Sequence, residues 1–336
     1  MSNTTIKILA KELNLSVATV SKALRDSHEI SINTKLKVLA LAKRLNYVAN
    51  PYASSLRKRR SNTIAVVVPE VADSFFSQAI NGIESVARDK GYHVLIYLTH
   101  ENFAREEAIL KEFQSGRVDG ILISVSGETS HGDHIKEVMA SGIPVVFFDR
   151  VCEDVETAKV ITDDFECGYQ AAGHLVEQGC KRIAFLSVSP SLSISNNRMK
   201  GYKKGLADHH FKKNQAEILF CGNDIEENYR IIRKALTKDK RPDGIIACVE
   251  KFTGSIYLAC SDLKLAIPGD IKVISFTNLQ TALILNPPLT TVTQPAFEMG
   301  KTAASVLFKT LDKNSSNIKN ETIIIPSQLN IRYSSS

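Results

Sequence analysis

Residues 6–24 read IKILAKELNLSVATVSKAL and carry two short helix patterns separated by a break. Apolar residues from Ile6 onward recur at the spacing of one helix face, and this spacing is interrupted at Asn14. Ser16 can then begin another helix as its N-cap. The pattern predicts a helix, a tight turn and a second helix.

The second predicted helix has an apolar face and a polar face. Val17, Val20 and Leu24 are spaced to fall inward. The outward face is small, hydroxyl-bearing and basic: Ala18, Thr19, Ser21, Lys22 and Arg25. Such side chains suit the major groove of DNA, because hydroxyls can bond phosphates and lysine can reach guanine acceptors. A third helix, expected at about residues 32–45, would close a three-helix core.

The stretch NYVANPYASSLRKRRSNT (46–63) predicts a short helix that joins this headpiece to the rest of the chain. Asn50 can cap it, and Pro51 suits its first position because that residue needs no N–H. A helix over 51–57 is too short to be stable alone, so we expect it to form only on DNA and against a partner hinge. Leu56, beside four basic residues, suits an apolar wedge for the minor groove, or it packs against the body.

Positive charge is concentrated at the N-terminal end of the chain. Residues 1–60 contain 12 Lys and Arg against three Asp and Glu, which leaves 30 against 33 for the remainder. A compact basic module is typical of proteins that bind the phosphate backbone, although a solvated basic face would carry the same charge.

From Ser61 onward, apolar strand patterns alternate with amphipathic helix patterns. Near-continuous runs such as TIAVVVP (63–69) and GIIACV (244–249) are typical of strands covered on both faces. The alternation predicts an α/β body of two lobes, each built on a parallel sheet. The expected boundaries are 1–48 for the all-α helix-turn-helix domain, 49–61 for the hinge, 62–161 and 293–322 for the first lobe, and 163–290 and 324–332 for the second, within a body of 62–336.

Several polar and aromatic residues follow the predicted strands, where open α/β sheets bind ligands. They are Phe75, Phe76, Asp149, Arg150, Asp163, Arg198, Glu250, Thr277 and Asn278. Any one of them could instead cap a helix or form a surface ion pair. Their shared placement at strand ends predicts a small-molecule site between the lobes.

The headpiece and hinge, together with NNRMKGY (196–202) and PPLTTVTQPAFEMGKTAA (287–304), resemble the lactose/galactose repressor (LacI/GalR-type) family of bacterial transcription regulators. The resemblance extends from about Ile6 to Arg332. It implies a sensor body like that of periplasmic sugar-binding proteins and a DNA-binding function controlled by a small effector. Fold-level likeness alone does not identify that effector.

The resemblance also implies roles for individual residues. Val17, Ala18 and Lys22 would read bases, and Ser16, Thr19 and Ser21 would position the DNA backbone. The whole set expected to contact DNA is Ser16, Val17, Ala18, Thr19, Ser21, Lys22, Arg25, Asn50, Tyr52, Ala53 and Leu56. The effector pocket would use Phe75, Asp149, Arg150, Asp163, Arg198 and Glu250, with Gln294 near a crossover between the lobes.

Three positions depart from the family pattern. Ile8 replaces an acidic residue of the first helix, and Glu250 replaces a shorter acid. Thr277 follows Phe276 where such regulators often have an aspartate, whose carboxylate could accept two vicinal sugar hydroxyls. A sugar, a sugar acid, a phosphosugar and a nucleobase all remain open as effector, and the resemblance favours a sugar derivative.

Other protein classes fit the sequence less well. The sequence lacks the nucleotide-binding, serine-hydrolase and zinc-protease motifs. We therefore expect that the protein is not an enzyme and binds neither a metal ion nor a cofactor. The six cysteines form no C-x-x-C pair and are expected to be reduced and buried, and His131 and His134 are expected to be solvated. A transport-type sugar-binding protein would need an export signal, which MSNTTIKILAKEL does not resemble, and no apolar run reaches the roughly 18 residues of a membrane span. We therefore expect a cytoplasmic regulator.

One short recognition helix makes few base contacts, so useful specificity requires two headpieces. We therefore expect at least a homodimer on a pseudo-palindromic operator in double-stranded DNA. A small, sugar-like effector between the lobes would change their closure and thereby the spacing of the two hinges. The sequence leaves open whether the effector releases or promotes DNA binding.

Overall fold

The computed structural model describes residues 5–47, 60–189, 192–212, 215–313, 316 and 318–336. The chain divides into two units, residues 1–60 and residues 61–336. None of the described helices is both long enough and apolar enough to cross a membrane. The expected hinge helix, with Asn50, Tyr52, Ala53 and Leu56, lies outside the described residues.

The first unit contains three short helices, as expected. They are α1 (Ile6–Glu12), α2 (Val17–Leu24) and α3 (Ile32–Arg44). Asn14 turns the chain between α1 and α2 with a φ of 54°, a left-handed conformation that asparagine tolerates well. The Ser16 hydroxyl accepts a hydrogen bond from the Thr19 N–H at 3.0 Å, so the predicted N-cap is confirmed.

A small apolar core holds these helices together. Leu9, Val20, Ala23 and Val38 are buried within it. The expectation that Val17 faces inward is wrong, because 43% of this residue is exposed. Val17 is the first residue of α2, and the residues of this helix that are buried are Val20 and Ala23.

The second unit begins with a lobe in which strands and helices alternate. Its elements in this part of the chain are β1 (Thr63–Val68), α4 (Ser74–Asp89), β2 (His93–Leu98), α5 (Phe103–Phe113), β3 (Gly120–Ile123), α6 (Asp133–Ala140), β4 (Val145–Phe148) and β5 (Lys159–Thr162). Strands β1, β3 and β4 are buried along their length except for the first residue of β1, as expected for strands covered on both faces.

The chain then enters a second lobe of the same kind. Its elements are α7 (Asp164–Glu177), β6 (Ile183–Ser187), α8 (Ser193–Asp208), β7 (Ala216–Phe220), α9 (Ile225–Leu236), β8 (Gly244–Ala247), α10 (Phe252–Asp262), β9 (Lys272–Phe276), a 3-10 turn (Gln280–Leu283) and β10 (Thr290–Thr293).

The last part of the chain crosses between the lobes twice more. Helix α11 (Ala296–Asp312) packs on α4, and β11 (Thr322–Ile325) pairs with β5, both in the first lobe. Strand β12 (Gln328–Asn330) and a 3-10 turn (Tyr333–Ser335) return to the second lobe. The strand orders are β11-β5-β4-β3-β1-β2 and β12-β10-β9-β8-β6-β7.

The predicted architecture of two mostly parallel sheets is confirmed. All described pairings are parallel except that of β12 with β10. Two expected lobe boundaries are wrong by a few residues. Thr293 belongs to the second sheet, and residues 322–325 belong to the first, because the apolar run there completes that sheet before the chain crosses.

Close helix contacts fix one wall of the second lobe. A Cβ at Gly201 in α8 would lie 1.9 Å from the carbonyl oxygen of Phe165 in α7, and one at Gly168 would lie 2.1 Å from the carbonyl oxygen of Arg198. Only glycine permits backbones to approach this closely. The contact sets the beginning of α7 beside the middle of α8, and this arrangement places Asp164 next to Arg198.

Candidate functional site

Helix α2 carries several of the residues that were predicted to contact DNA. Val17, Ala18 and Arg25 are exposed, and Lys22 is half-buried. Arg25 Nη2 donates to the Ser21 hydroxyl at 2.9 Å, and Lys22 Nζ is paired with the Glu29 carboxylate. The helix therefore presents two methyl-bearing side chains and two cations, and each cation has a partner within the headpiece.

In the second unit, the carboxyl ends of strands from both lobes meet around a small cavity. Its volume is about 30 Å³, which is room for roughly one water molecule. Its lining residues are Asp73, Phe75, Phe76, Asp149, Arg150, Ile194, Arg198, Val249, Glu250, Phe276, Thr277 and Gln294. Pockets for small molecules usually exceed about 300 Å³, so a sugar can enter only when the lobes separate.

Asp149 lies at the end of β4 with a φ of 62° and is almost fully buried. Its carboxylate has only long contacts: the Ser124 hydroxyl and Gln294 Nε2 are each 3.4 Å away, and Arg150 Nε is 3.8 Å away. Burial raises the pKa of this carboxyl to about 6, against the opposing effect of the nearby arginines. Asp149 therefore retains capacity to accept hydrogen bonds from a ligand.

Arg150 extends from the same strand end and is also buried. Its Nη1 donates to Glu101 at 2.7 Å, while its Nε has no hydrogen-bond partner among the described residues. Burial opposes ionisation of Glu101, yet the Arg150 charge more than compensates and lowers the pKa of that carboxyl. The pair is thus ionised and leaves one buried donor for a ligand.

Arg198 occupies the opposite wall of the cavity. Its Nε donates to Asp164 at 2.7 Å, Nη1 donates to the Cys248 carbonyl oxygen, and its guanidinium carbon lies 4.3 Å from the centre of the Phe276 ring. Its Nη2 has no partner among the described residues, although only 2% of the side chain is exposed. A buried donor without a partner is costly, which makes it a candidate ligand contact.

Glu250 connects the two lobes. Its Oε1 accepts a hydrogen bond from the Ser74 N–H at 2.9 Å, at the first turn of α4 in the first lobe. Its Oε2 is bonded to the Ser74 hydroxyl and accepts from the Thr277 hydroxyl at 2.6 Å. A carboxylate at a helix N-terminus is stabilised by the unpaired N–H groups there. The Glu250 carboxylate thus links the two lobes and holds the cleft closed on this side.

A second contact between the lobes lies near the crossover at Gln294. Asn278 Nδ2 donates to the Gln294 carbonyl oxygen at 2.7 Å, and its Oδ1 accepts from the Gln294 N–H at 3.1 Å. The same amide group donates to Gln78 Oε1 of α4 at 3.2 Å. Asn278 therefore joins the crossover to a helix of the opposite lobe and does not itself line the cavity.

Eight of the ten residues predicted for the effector pocket line this cavity: Phe75, Phe76, Asp149, Arg150, Arg198, Glu250, Thr277 and Gln294. Asp163 is not among its lining residues; its carboxylate accepts the Ser327 N–H at 2.8 Å, where two crossovers meet. Sequence reasoning missed Asp73, which lines the cavity, and Glu101 and Asp164, which pair with the arginines. A buried arginine requires a nearby acid, but the adjacent Asp163 and Asp164 meet this requirement equally well in the sequence, so no local signal separates them.

Other predicted features can be placed as well. His131 is exposed, but the expectation of solvent exposure is wrong for His134, which is buried with its Nε2 2.9 Å from Glu106. The six cysteines are free and buried, as expected. Within the described part of the chain, no group of three or more His, Cys, Asp or Glu is arranged to hold a metal ion.

Residues 5–50 match the family described as bacterial regulatory proteins, lacI family. Residues 61–333 match periplasmic binding proteins and sugar binding domain of LacI family. The two matches together span most of the chain.

Individual relatives match over similar lengths. Catabolite control protein A of Priestia megaterium is 26% identical over 333 residues, 99% of each chain. A LacI family transcriptional regulator from Enterococcus faecium with bound ribose is 25% identical, with a TM-score of 0.73 over 82% of this chain and 98% of its own. The Lac repressor dimer bound to operator and the anti-inducer ONPF has a TM-score of 0.85 at 22% identity over 99% of each chain, a likeness of fold.

Proposed function

The chain belongs to the lacI family of bacterial regulatory proteins, and we propose that it is a transcription repressor whose operator affinity is set by a small, sugar-like molecule bound between its two lobes. The observation that carries the proposal is a closed cleft lined by buried charges, in a chain that also has a helix-turn-helix. The two parts together make a ligand-controlled DNA-binding protein.

The headpiece supports the DNA-binding half of the proposal. The exposed face of α2 offers Ala18 for a thymine methyl group and Lys22 for guanine acceptors. Ser16, Thr19, Ser21 and Arg25 would hold the phosphate backbone, and the hinge residues Asn50, Tyr52, Ala53 and Leu56 would occupy the minor groove. Contact with DNA would require Lys22 to exchange Glu29 for a DNA partner.

The cleft supports the effector half. A ligand that bonds Asp149 and the free donors of Arg150 and Arg198 must displace the present packing, since the cavity admits roughly one water molecule. Its entry would therefore separate Glu250 from Ser74 or rearrange them. A ligand that favours one spacing of the lobes shifts the population toward that spacing, and this shift is the basis for control of the hinge.

We further infer a homodimer, because two headpieces double the number of base contacts on a pseudo-palindromic site. The relative solved on its operator is a dimer by its description, and this supports the inference. We also infer that the chain has no catalytic activity and acts in the cytoplasm with the bacterial DNA. Membership in a family of transcription regulators supports both inferences.

The proposal is tested by selecting DNA duplexes that bind the purified protein from a genomic library and measuring their affinity by fluorescence anisotropy. We expect an enriched pseudo-palindrome, bound by two chains, and weaker binding for Leu56→Ala. A plain sugar-binding protein would enrich no sequence and would show no salt-dependent retention on heparin. That result would overturn the proposal.

A further inference from the structure

The charges that line the cleft are not balanced. Asp73, Asp149 and Glu250 face the cavity together with only two cations, Arg150 and Arg198. The partners just behind the lining, Glu101 and Asp164, are also acidic. Lys251, next to Glu250 in the sequence, is a further cation that interacts with Asp73 and Glu101, and burial lowers its pKa. Five carboxylates are thus set against three cationic groups.

The two arginines are already neutralised by the protein. Arg150 is bonded to Glu101 and Arg198 to Asp164, each at 2.7 Å. Arg150 Nε and Arg198 Nη2 are buried without a partner among the described residues, and both can donate to hydroxyl oxygens of a ligand. Because Glu101 and Asp164 already balance the two guanidinium charges, neither arginine brings a net positive charge to a ligand. The guanidinium groups suit a polyol better than an anion.

In the closed cleft, the Glu250 carboxylate already occupies the anion-binding position at the N-terminus of α4. Helix α4 spans 16 residues, and its N-terminal N–H at Ser74 is bonded to Glu250. Asp73 precedes it and makes no capping hydrogen bond of its own. Burial raises the pKa of Asp73, and the nearby Glu250 carboxylate raises it further, because two negative charges there repel each other. A third negative group at this position would add to that repulsion.

These observations narrow the ligand class of the proposed effector site, and the inference rests on that proposed function. We propose that Asp73 and Glu250 reject anionic ligands and that the cleft takes a polyhydroxylated molecule without a phosphate or carboxylate group, with preference for one that carries an ammonium group. Hydroxyls would bond Asp149 and the free arginine donors. An ammonium group would pair with the carboxylates at the beginning of α4. Asp73 and Glu250 thereby act as specificity-determining residues.

The test is isothermal titration of the full chain against matched sets of compounds: a neutral hexose, its 2-amino derivative, its 6-phosphate and its sugar acid, for glucose, galactose and mannose. Ribose, ribose 5-phosphate and hypoxanthine complete the panel. Asp73→Asn and Glu250→Gln are titrated in parallel, because each keeps the shape of the side chain and removes its charge. Glu226→Gln, an exposed carboxylate on α9, is the matched control.

We expect neutral or amino sugars to bind and each phosphorylated or acidic counterpart to bind at least about tenfold more weakly. The discrimination should shrink about tenfold in Asp73→Asn or Glu250→Gln and persist in Glu226→Gln. A phosphosugar, sugar acid or hypoxanthine that binds best would overturn this inference, while its effect on operator affinity would leave the proposed function standing. If no compound binds and operator affinity never changes, the effector site itself is wrong, and the inference fails with it.

A second experiment does not depend on identifying the sugar. It uses inorganic phosphate as the probe and compares the melting temperatures of wild type and variants with and without phosphate at equal ionic strength. The headpiece is identical in all variants, so differences between variants report on the cleft. We expect phosphate to stabilise the Asp73→Asn, Glu250→Gln double variant more than the wild type. Equal stabilisation of both proteins would contradict the rejection of anions.

Discussion

Glu250 in the second lobe accepts a hydrogen bond from the backbone N–H of Ser74 in the first lobe, with 2.9 Å between Oε1 and the nitrogen. The same carboxylate also accepts hydrogen bonds from the Thr277 hydroxyl and the Asn278 N–H of its own lobe. One side chain thus joins a strand end of one sheet to a helix N-terminus packed on the other. Any movement that opens the cleft along this edge must break this contact.

Replacing Glu250 with alanine should loosen the first turn of α4. Hydrogen bonds to charged groups contribute about 1.5–3 kcal/mol, and partial exposure reduces this, so we expect amide exchange at residues 74–78 to become about tenfold faster. Hydrogen-exchange mass spectrometry measures this directly. Glu226→Ala, which removes an exposed helix ion pair, should leave the same peptide unchanged. Unaltered exchange in Glu250→Ala would mean that the contact does not hold the lobes together.

Substitutions of Lys22 in α2 and of its partner Glu29 should have opposite effects on DNA binding. Lys22→Ala removes a candidate base contact and should cost about 1–3 kcal/mol of operator binding. Glu29→Gln leaves Lys22 without its partner carboxylate and should strengthen binding to non-specific DNA. Anisotropy titrations with operator and scrambled duplexes separate the two effects. If Lys22→Ala weakens both duplexes equally, Lys22 contacts phosphate and not a base.

Asp149 should make the stability of the sensor unit depend on pH. Its pKa in the folded chain is about 6, above the ordinary value of 3.8, so the folded state favours the protonated carboxyl. The cost of the ionised form is absent below about pH 4, grows as the pH rises, and is complete above about pH 6. Asp149→Asn should therefore raise the melting temperature near pH 8, and the gain should shrink toward pH 4. A gain that is equal at every pH would argue against a buried ionised Asp149.

Gly201 should be intolerant of any side chain. Its Cβ would lie 1.9 Å from the Phe165 carbonyl oxygen, a backbone atom that cannot move aside, so we expect Gly201→Ala to destabilise the second lobe by about 3 kcal/mol or more. Displacement of α7 would also draw Asp164 away from Arg198. Gly254 in α10 is a matched control, because nothing lies within 4 Å of its Cβ position, and Gly254→Ala should stabilise by about 0.5–1 kcal/mol. Equal melting temperatures for the two variants would contradict this account of the α7–α8 contact.

The layers of the fold could be read from local patterns, since apolar periodicity identifies each strand and helix whatever its neighbours are. The strand ends could be read in the same way, and Asp149, Arg150 and Glu250 were found there. What local patterns do not contain is pairing across the chain. Asp163 and Asp164 are adjacent acids at the beginning of one helix, and only the packing of α7 against α8 decides that Asp164 meets Arg198.

The exposure of Val17 illustrates the same limit within the headpiece. Its spacing places it on the inner face of an ideal helix, but it is the first residue of α2 and 43% of it is exposed. Glu101 lies in the loop after β2, and only the order of strands in the sheet brings it to Arg150. Both facts depend on tertiary arrangement, which short-range spacing does not encode.

The most direct test of the central claim is the affinity of the full chain for its selected operator, measured by fluorescence anisotropy with and without a saturating ligand of the cleft. The ligand is the compound that binds wild type best and loses affinity in Arg198→Met. We predict a change of at least about fivefold in operator affinity, together with an equal change in ligand affinity when operator is present, since coupling between two sites is reciprocal. An operator affinity that is the same at zero and saturating ligand would contradict the claim that the cleft controls DNA binding.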